Sequence, residues 1–184
     1  MAKMPDVIDT LEGADKAIYD DIESRRAAKG VHHLGPYVPL ANYPQLAKYI
    51  ERLGFFYKYE SELPADIYQF VVLEVGRQSG VEFVWRDHVE KARAAGVPDA
   101  VISAIASGDD ALEEPYGQVR ALMDWAFRFQ SIPEEIQAAA VRRFGAPGVL
   151  EIVTLCGFYT MIGMINTCFD VPLPTTSKRS EDDR

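Results

Sequence analysis

The sequence predicts an all-α fold. Apolar residues recur at helical spacing along most of the chain, and no stretch keeps the strict alternation of a half-buried strand. Short apolar runs such as Phe70–Val75 sit inside longer windows of 3.6-residue period. Glycine and proline fall between these windows, where helices stop and start.

Taken in order, Ala14–Lys29 reads as a polar amphipathic helix ending at Gly30. Val31–Pro44 reads as a loop, broken by Gly35-Pro36 and Pro39. Pro44–Tyr57 is a helix with Leu46, Ile50, Leu53 and Phe56 on one face and Asn42 as its cap. Leu63-Pro64-Ala65-Asp66 opens the next helix, with proline in the first turn and Ile67, Phe70, Val71, Glu74, Val75 and Gln78 following at helical spacing. Gly80 interrupts it, and a further helix runs from Val81 to Ala95. Gly96-Val97-Pro98-Asp99 is a stop followed by a start, leading into a short helix with Val101, Ile102, Ile105 and Ala106. Gly108–Pro115 is an acidic loop. Tyr116–Gln130 and Pro133–Phe144 are helices, Gly145–Gly148 is a turn, and Val149–Phe169 is the last helix.

The chain has 184 residues, enough for one domain with a sizeable core and terminal extensions. We divide it into an N-terminal helical extension (1–34), an all-α domain (35–174) and a disordered tail (175–184) rich in serine and charge. It is 48% hydrophobic and 26% charged, as in ordinary globular proteins. A net charge of −9 argues against nucleic acid, whose phosphates call for clustered Lys and Arg, and against a polybasic membrane-surface role. Residues 1–25 carry charges throughout and no apolar run of signal-peptide length, so the expected compartment is the cytoplasm. Val149–Phe169 is long enough to span a bilayer, with Glu151 its one charge. Its Thr154, Thr160, Asn166, Thr167 and two glycines favour a helix buried in the core or a subunit interface. Cys156 and Cys168 fall in this same helix, roughly 18 Å apart, which precludes a disulfide. Both are expected to be buried structural thiols.

The segment most able to carry chemistry is Gly80–His88. On a helix, Val81, Val84, Trp85 and His88 share one face, so His88 continues an apolar stripe. An imidazole there is partly desolvated and can exchange a proton near neutral pH, or it is a core histidine with a satisfied hydrogen bond. Glu82 lies off that face and is spaced i, i+4 with Arg86, as in a surface ion pair. In the last helix Cys156, Tyr159, Gly163 and Asn166 form a mildly polar stripe. Its phenol and amide need partners from backbone, a facing helix or a small ligand. The only other histidines, His32 and His33, lie in the Gly/Pro-rich loop, and no His-x-x-x-His or Glu-x-x-His cluster supports a metal site. Phosphate-binding glycine motifs and Gly-x-Ser-x-Gly are absent, which leaves nucleotide binding and serine hydrolysis without a signal.

Leu63-Pro64 through His88, continued by Val89–Val97, resembles the core motif of carboxymuconolactone decarboxylase-like proteins, whose peroxidase branch is the alkylhydroperoxidase D-like group. Pro44–Glu62, with Phe55-Phe56-Tyr57, resembles the helix before that core. Gly157-Phe158-Tyr159 to Asn166 and Val171-Pro172-Leu173-Pro174 resemble its closing helix and exit. The likeness covers roughly residues 35–174. It implies an all-α bundle of the alkylhydroperoxidase D-like type, assembly as a homo-oligomer (trimer or hexamer), and a pocket lined by the core helix and the helix before it. In the peroxidase branch two cysteines form the redox pair; the matching positions here are Val81 and Val84, which cannot form a thiolate or sulfenic acid. A carboxylate of the preceding helix is matched by Gln69, which cannot exchange a proton at neutral pH. Glu82, Trp85 and His88, and later Tyr159 and Asn166, match the family.

Together these readings point to a cofactor-independent lyase, decarboxylase or isomerase acting on a small organic acid or lactone. His88 is the general acid/base, with Glu82 and Tyr159 as catalytic partners; Glu82 would act from outside the His88 face, from across a subunit boundary. Tyr159, Asn166 and Gln69 donate hydrogen bonds to developing negative charge, Trp85 with Val81 and Val84 shapes the pocket, and Arg77 or Arg86 can hold a carboxylate. No metal or cofactor is called for, because the substrate supplies its own electron sink. Two alternatives stay open: a relative with a binding or assembly role, and a thiol peroxidase using Cys156. The latter needs an exposed, acidic thiol.

Overall fold

The computed structural model describes residues 4–31, 35–109 and 111–173, and within them the chain is all-helical. The elements are α1 (Gly13–Ala27), α2 (Tyr37–Leu40), α3 (Pro44–Phe55), a π-helical turn (Phe56–Glu60), α4 (Ala65–Gln78), α5 (Glu82–Ala94), α6 (Asp99–Ser107), α7 (Tyr116–Phe127) and α8 (Glu134–Cys168). A 3-10 turn, Ile8–Thr10, precedes α1. His32, His33 and the tail from residue 175 lie outside the described residues.

α4 is the central helix. Its residues Phe70 to Gly76 are buried without a break, so it is enclosed on all sides rather than along one stripe. It packs against α5, α6, α7 and α8. One member of that run is charged: Glu74 is fully buried and pairs with Arg120 of α7, whose guanidinium also donates to the Asp109 carbonyl. A buried carboxylate needs such a partner, because desolvation without one costs several kcal/mol.

The tight α4–α5 connection depends on Gly80 (φ 64°), which turns the chain through the left-handed region. Gly76 then lets α5 approach: a Cβ there would lie 3.2 Å from the Trp85 nitrogen. α8 is broken at Gly145 (φ 69°, ψ 168°), where the expected turn falls, and Pro147 starts the second arm. α8 holds an 18-residue window of mean hydropathy 1.7, half of it buried within the molecule. It lies on α4 and α7, and its buried face includes Ile152, Leu155, Cys156, Tyr159, Ile162 and Asn166.

α1 docks on the body of the molecule through buried side chains. Tyr19 and Ile22 are each 1% exposed, and the Tyr19 hydroxyl donates to the Tyr37 carbonyl at 3.1 Å. Arg25 of α1 meets buried Glu51 of α3 at 2.8 Å. This docking rotates α3 from its expected orientation. Ala47, Ile50, Glu51 and Gly54 face inward, whereas Leu46 and Leu53 are more than 40% exposed. The period was legible, but the phase is set by a small residue, a glycine and an ion pair. Asn42 does not cap α3; its amide donates to the carbonyls of Pro5 and Pro39. The expected loop before α3 contains one short helical turn, α2.

Candidate functional site

A cavity of about 430 Å³ opens between α3, the π turn, α4, α5 and α8, with the end of α1 at its rim. Its walls carry aromatic rings, among them Tyr57, Tyr68, Phe83, Phe158 and Tyr159. Arg26, Lys58 and Lys91 line it, with Asp87 the one carboxylate among the described residues. Three cations against one carboxylate give the described lining an excess of positive charge in a chain of net charge −9.

His88 sits in this cavity wall and is 3% exposed. Its Nδ1 lies 2.8 Å from Gln69 Oε1, an oxygen that can only accept, so Nδ1 carries the hydrogen. Nε2 is then the nitrogen that gains and loses a proton, and Asp87 Oδ2 stands 3.4 Å from it. Asp87 also accepts from the Lys91 ammonium at 2.8 Å. The edge-on ring of Tyr159 packs on the imidazole with centroids 5.2 Å apart. Its hydroxyl shares a short hydrogen bond with that of Tyr68. Burial holds both phenols above their usual range, and for Tyr159 the neighbouring Tyr68 adds to the effect. Both therefore stay protonated. One hydrogen closes the Tyr–Tyr bond, and the accepting phenol keeps its own hydrogen for another partner.

Local sequence explains these positions. Phe83, Val84, Asp87, His88 and Lys91 all line the cavity, on the adjacent i, i+4 rows of α5. Tyr68 and Gln69 are neighbours on α4. The π turn is closed by the Ser61 amide donating to the Phe56 carbonyl at 2.9 Å, an i to i+5 bond. It brings three consecutive residues, Tyr57, Lys58 and Tyr59, to the cavity. Gly54 makes room for Phe158, since a Cβ there would stand 2.9 Å from the ring's Cζ.

Of the residues singled out from sequence, His88, Gln69, Tyr159 and Val84 come together in this cavity. The others do not line it. Glu82 is exposed and paired with Arg86 at 2.5 Å, and neither lines the cavity. Arg77 lies 3.6 Å from Glu74, beside Gly108. Val81 packs against Gly163 on the α8 side, and half-buried Trp85 lies away from the opening. Asn166 is 3% exposed, and its amide has no hydrogen-bond partner among the described residues. The apolar stripe used to read α5 passes through His88 but runs around to the α4 and α8 contacts. The cavity face runs through Asp87 and Lys91, an i, i+4 ion pair at 2.8 Å that the sequence reading did not single out. Lys58, Tyr68 and Arg26 were also missed. The one sequence signal for Lys58 is its place in the aromatic run Phe55–Tyr59.

The two cysteines differ. Cys168 is exposed, contrary to expectation, because it lies in the last turn of α8 beyond the packed face. Cys156 is buried, and burial pushes its thiol up to about 12. The exposed, acidic thiol that a Cys156 peroxidase requires is not there. Among the described residues no group of three or more His, Cys, Asp or Glu side chains gathers as a metal site. Comparison of the chain with protein-family models, curated proteins and solved structures finds no match.

Proposed function

We propose that the protein is a cofactor-independent lyase or isomerase that moves a proton on a small organic acid or lactone bound beside His88. The observation that supports this reading is the His88 environment: one ring nitrogen tied to Gln69, the other beside Asp87, in a cation-bearing, aromatic-walled cavity. Arg26, with Lys58 and Lys91 adding positive charge, attracts the acid's carboxylate. The substrate's own conjugated carbonyl takes up the electron pair when a C–C or C–H bond breaks. Nε2 of His88 then delivers or removes the proton at carbon, and Asp87 steadies the imidazolium. The free hydrogen of the Tyr68–Tyr159 pair serves the developing oxyanion.

On this reading the chain is a carboxymuconolactone decarboxylase-like protein without the redox pair, with an alkylhydroperoxidase D-like bundle. It works in the cytoplasm as a trimer or hexamer, which sedimentation of the purified chain measures. The exposed Tyr43, Leu46, Tyr49 and Leu53 of the α3 region, and Leu150 and Met164 of α8, give apolar surface for such an assembly.

The test has two parts. Benzoate titrated by calorimetry into the native chain should bind, and Arg26→Gln should weaken it. Carbon dioxide release from a panel of lactones and keto acids identifies a substrate, on which His88→Ala should lose on the order of a hundredfold in turnover while keeping its circular dichroism. Unchanged turnover of that substrate by His88→Ala removes the histidine from the mechanism.

A further inference from the structure

Lys58 enters the proton-transfer scheme only as one of three positive charges in the cavity. We propose that Lys58 is a nucleophilic amine that forms an iminium (Schiff base) with a carbonyl-bearing organic acid, so that the ligand class of the cavity is keto or aldehyde acids. The proposal rests on the reading of this cavity as an acid-binding site and narrows it.

The geometry comes first. The π turn presents Lys58 to the cavity between Tyr57 and Tyr59, two aromatic side chains that also line it. The Lys58 side chain remains reachable from solvent through the opening, as a nucleophile must be. Among the described residues no carboxylate forms an ion pair with it. Two other cations, Lys91 and Arg26, share the cavity. A lysine placed beside other cations is an arrangement that favours a free amine nearer neutral pH. Enclosure, with Lys91 and Arg26 adding to it, brings the Lys58 ammonium down to about 8, against the opposing pull of Asp87 and Glu51.

The step balances with water and a proton alone. The Lys58 Nζ lone pair forms a bond to the carbonyl carbon, and the carbonyl π pair moves to oxygen. The carbinolamine hydroxyl takes a proton and leaves as water, giving the iminium. When the carboxylate lies β to that carbon, the C–C bond electrons flow into the iminium and carbon dioxide departs. The enamine carbon then takes a proton, and water hydrolyses the new iminium, returning Lys58 and releasing a ketone or aldehyde. Arg26 offers a charge for the carboxylate before it leaves, and His88 supplies an acid/base group in the same cavity.

The experiment uses the full chain, 4-carboxybenzaldehyde and cyanoborohydride at neutral pH, with peptide mapping of the reduced adduct. Lys58 should be trapped about tenfold or more faster than exposed Lys16, because more of it is unprotonated at neutral pH. Its trapping should rise to a plateau as pH passes about 8. Lys58→Arg keeps the charge and should lose that fast adduct. Trapping of Lys58 no faster than Lys16, or a fast adduct that survives in Lys58→Arg, overturns the proposal. Benzoate binding, measured in parallel, judges the acid-site reading separately. Benzoate bound without fast trapping leaves the acid site standing and the Schiff base refuted. Fast trapping of Lys58 without benzoate binding supports the amine and counts against the acid site.

Discussion

At the scale of single residues, partners matter more than positions. Gln69 fixes the His88 tautomer through one oxygen at 2.8 Å. In Gln69→Leu the imidazole should shift toward the Nε2–H form, which nitrogen chemical shifts of His88 report; an unchanged tautomer ratio would show that Gln69 does not set it. The thiols give a second test at this scale. With Cys156 buried and pushed up to about 12, and Cys168 exposed, native protein at pH 8 should show one fast-reacting thiol. Cys168→Ser should abolish it, and persistence of the fast phase would place an accessible thiolate at Cys156. Asn166 gives a third. Its amide is buried without a partner, so Asn166→Leu should be neutral or stabilising by about 1–2 kcal/mol, read as a higher denaturation midpoint. A loss of stability on that scale would show that the amide is satisfied in solution.

At the scale of elements, helix contacts around the site are set by glycines. A Cβ on Gly163 would lie 2.9 Å from Val81 Cγ2, a stiff side chain at the start of α5. Gly163→Ala should therefore destabilise by about 1–2 kcal/mol despite the better helix propensity of alanine. Adding Val81→Ala should recover more than the sum of the single effects predicts, and strict additivity would sink the contact argument. The α5 helix illustrates how one apolar stripe can serve two purposes. Val81 meets Gly163 of α8, while Val84 lies against Gly76 of α4 and with His88 borders the cavity.

At the scale of the whole molecule, the Glu74–Arg120 pair ties the central helix to α7 and to the loop before it. Removing one partner leaves a buried charge alone. Glu74→Ala should cost about 3–5 kcal/mol in denaturant unfolding, and the joint Glu74→Met, Arg120→Leu change should cost far less. A small effect of the single change would mean that water reaches the pair.

The helices, their order and most of their breaks are legible in the amino-acid sequence. Gly80, Gly96-Val97-Pro98 and Gly145 stop helices for local steric reasons that need no tertiary partner. It also singled out His88, because an imidazole on an apolar stripe is legible from spacing alone. What surrounds that imidazole depends on contacts between separate helices. The inward face of α3 follows from Arg25–Glu51 and from Gly54 against Phe158, contacts between elements far apart in the chain. Lys58 and Arg26 reach the cavity from a π turn and from α1, and neither carries a local sequence mark for it. Spacing along a helix reports which side chains share a face; which face meets a cavity depends on how separate helices pack, and that is a property of the assembled core.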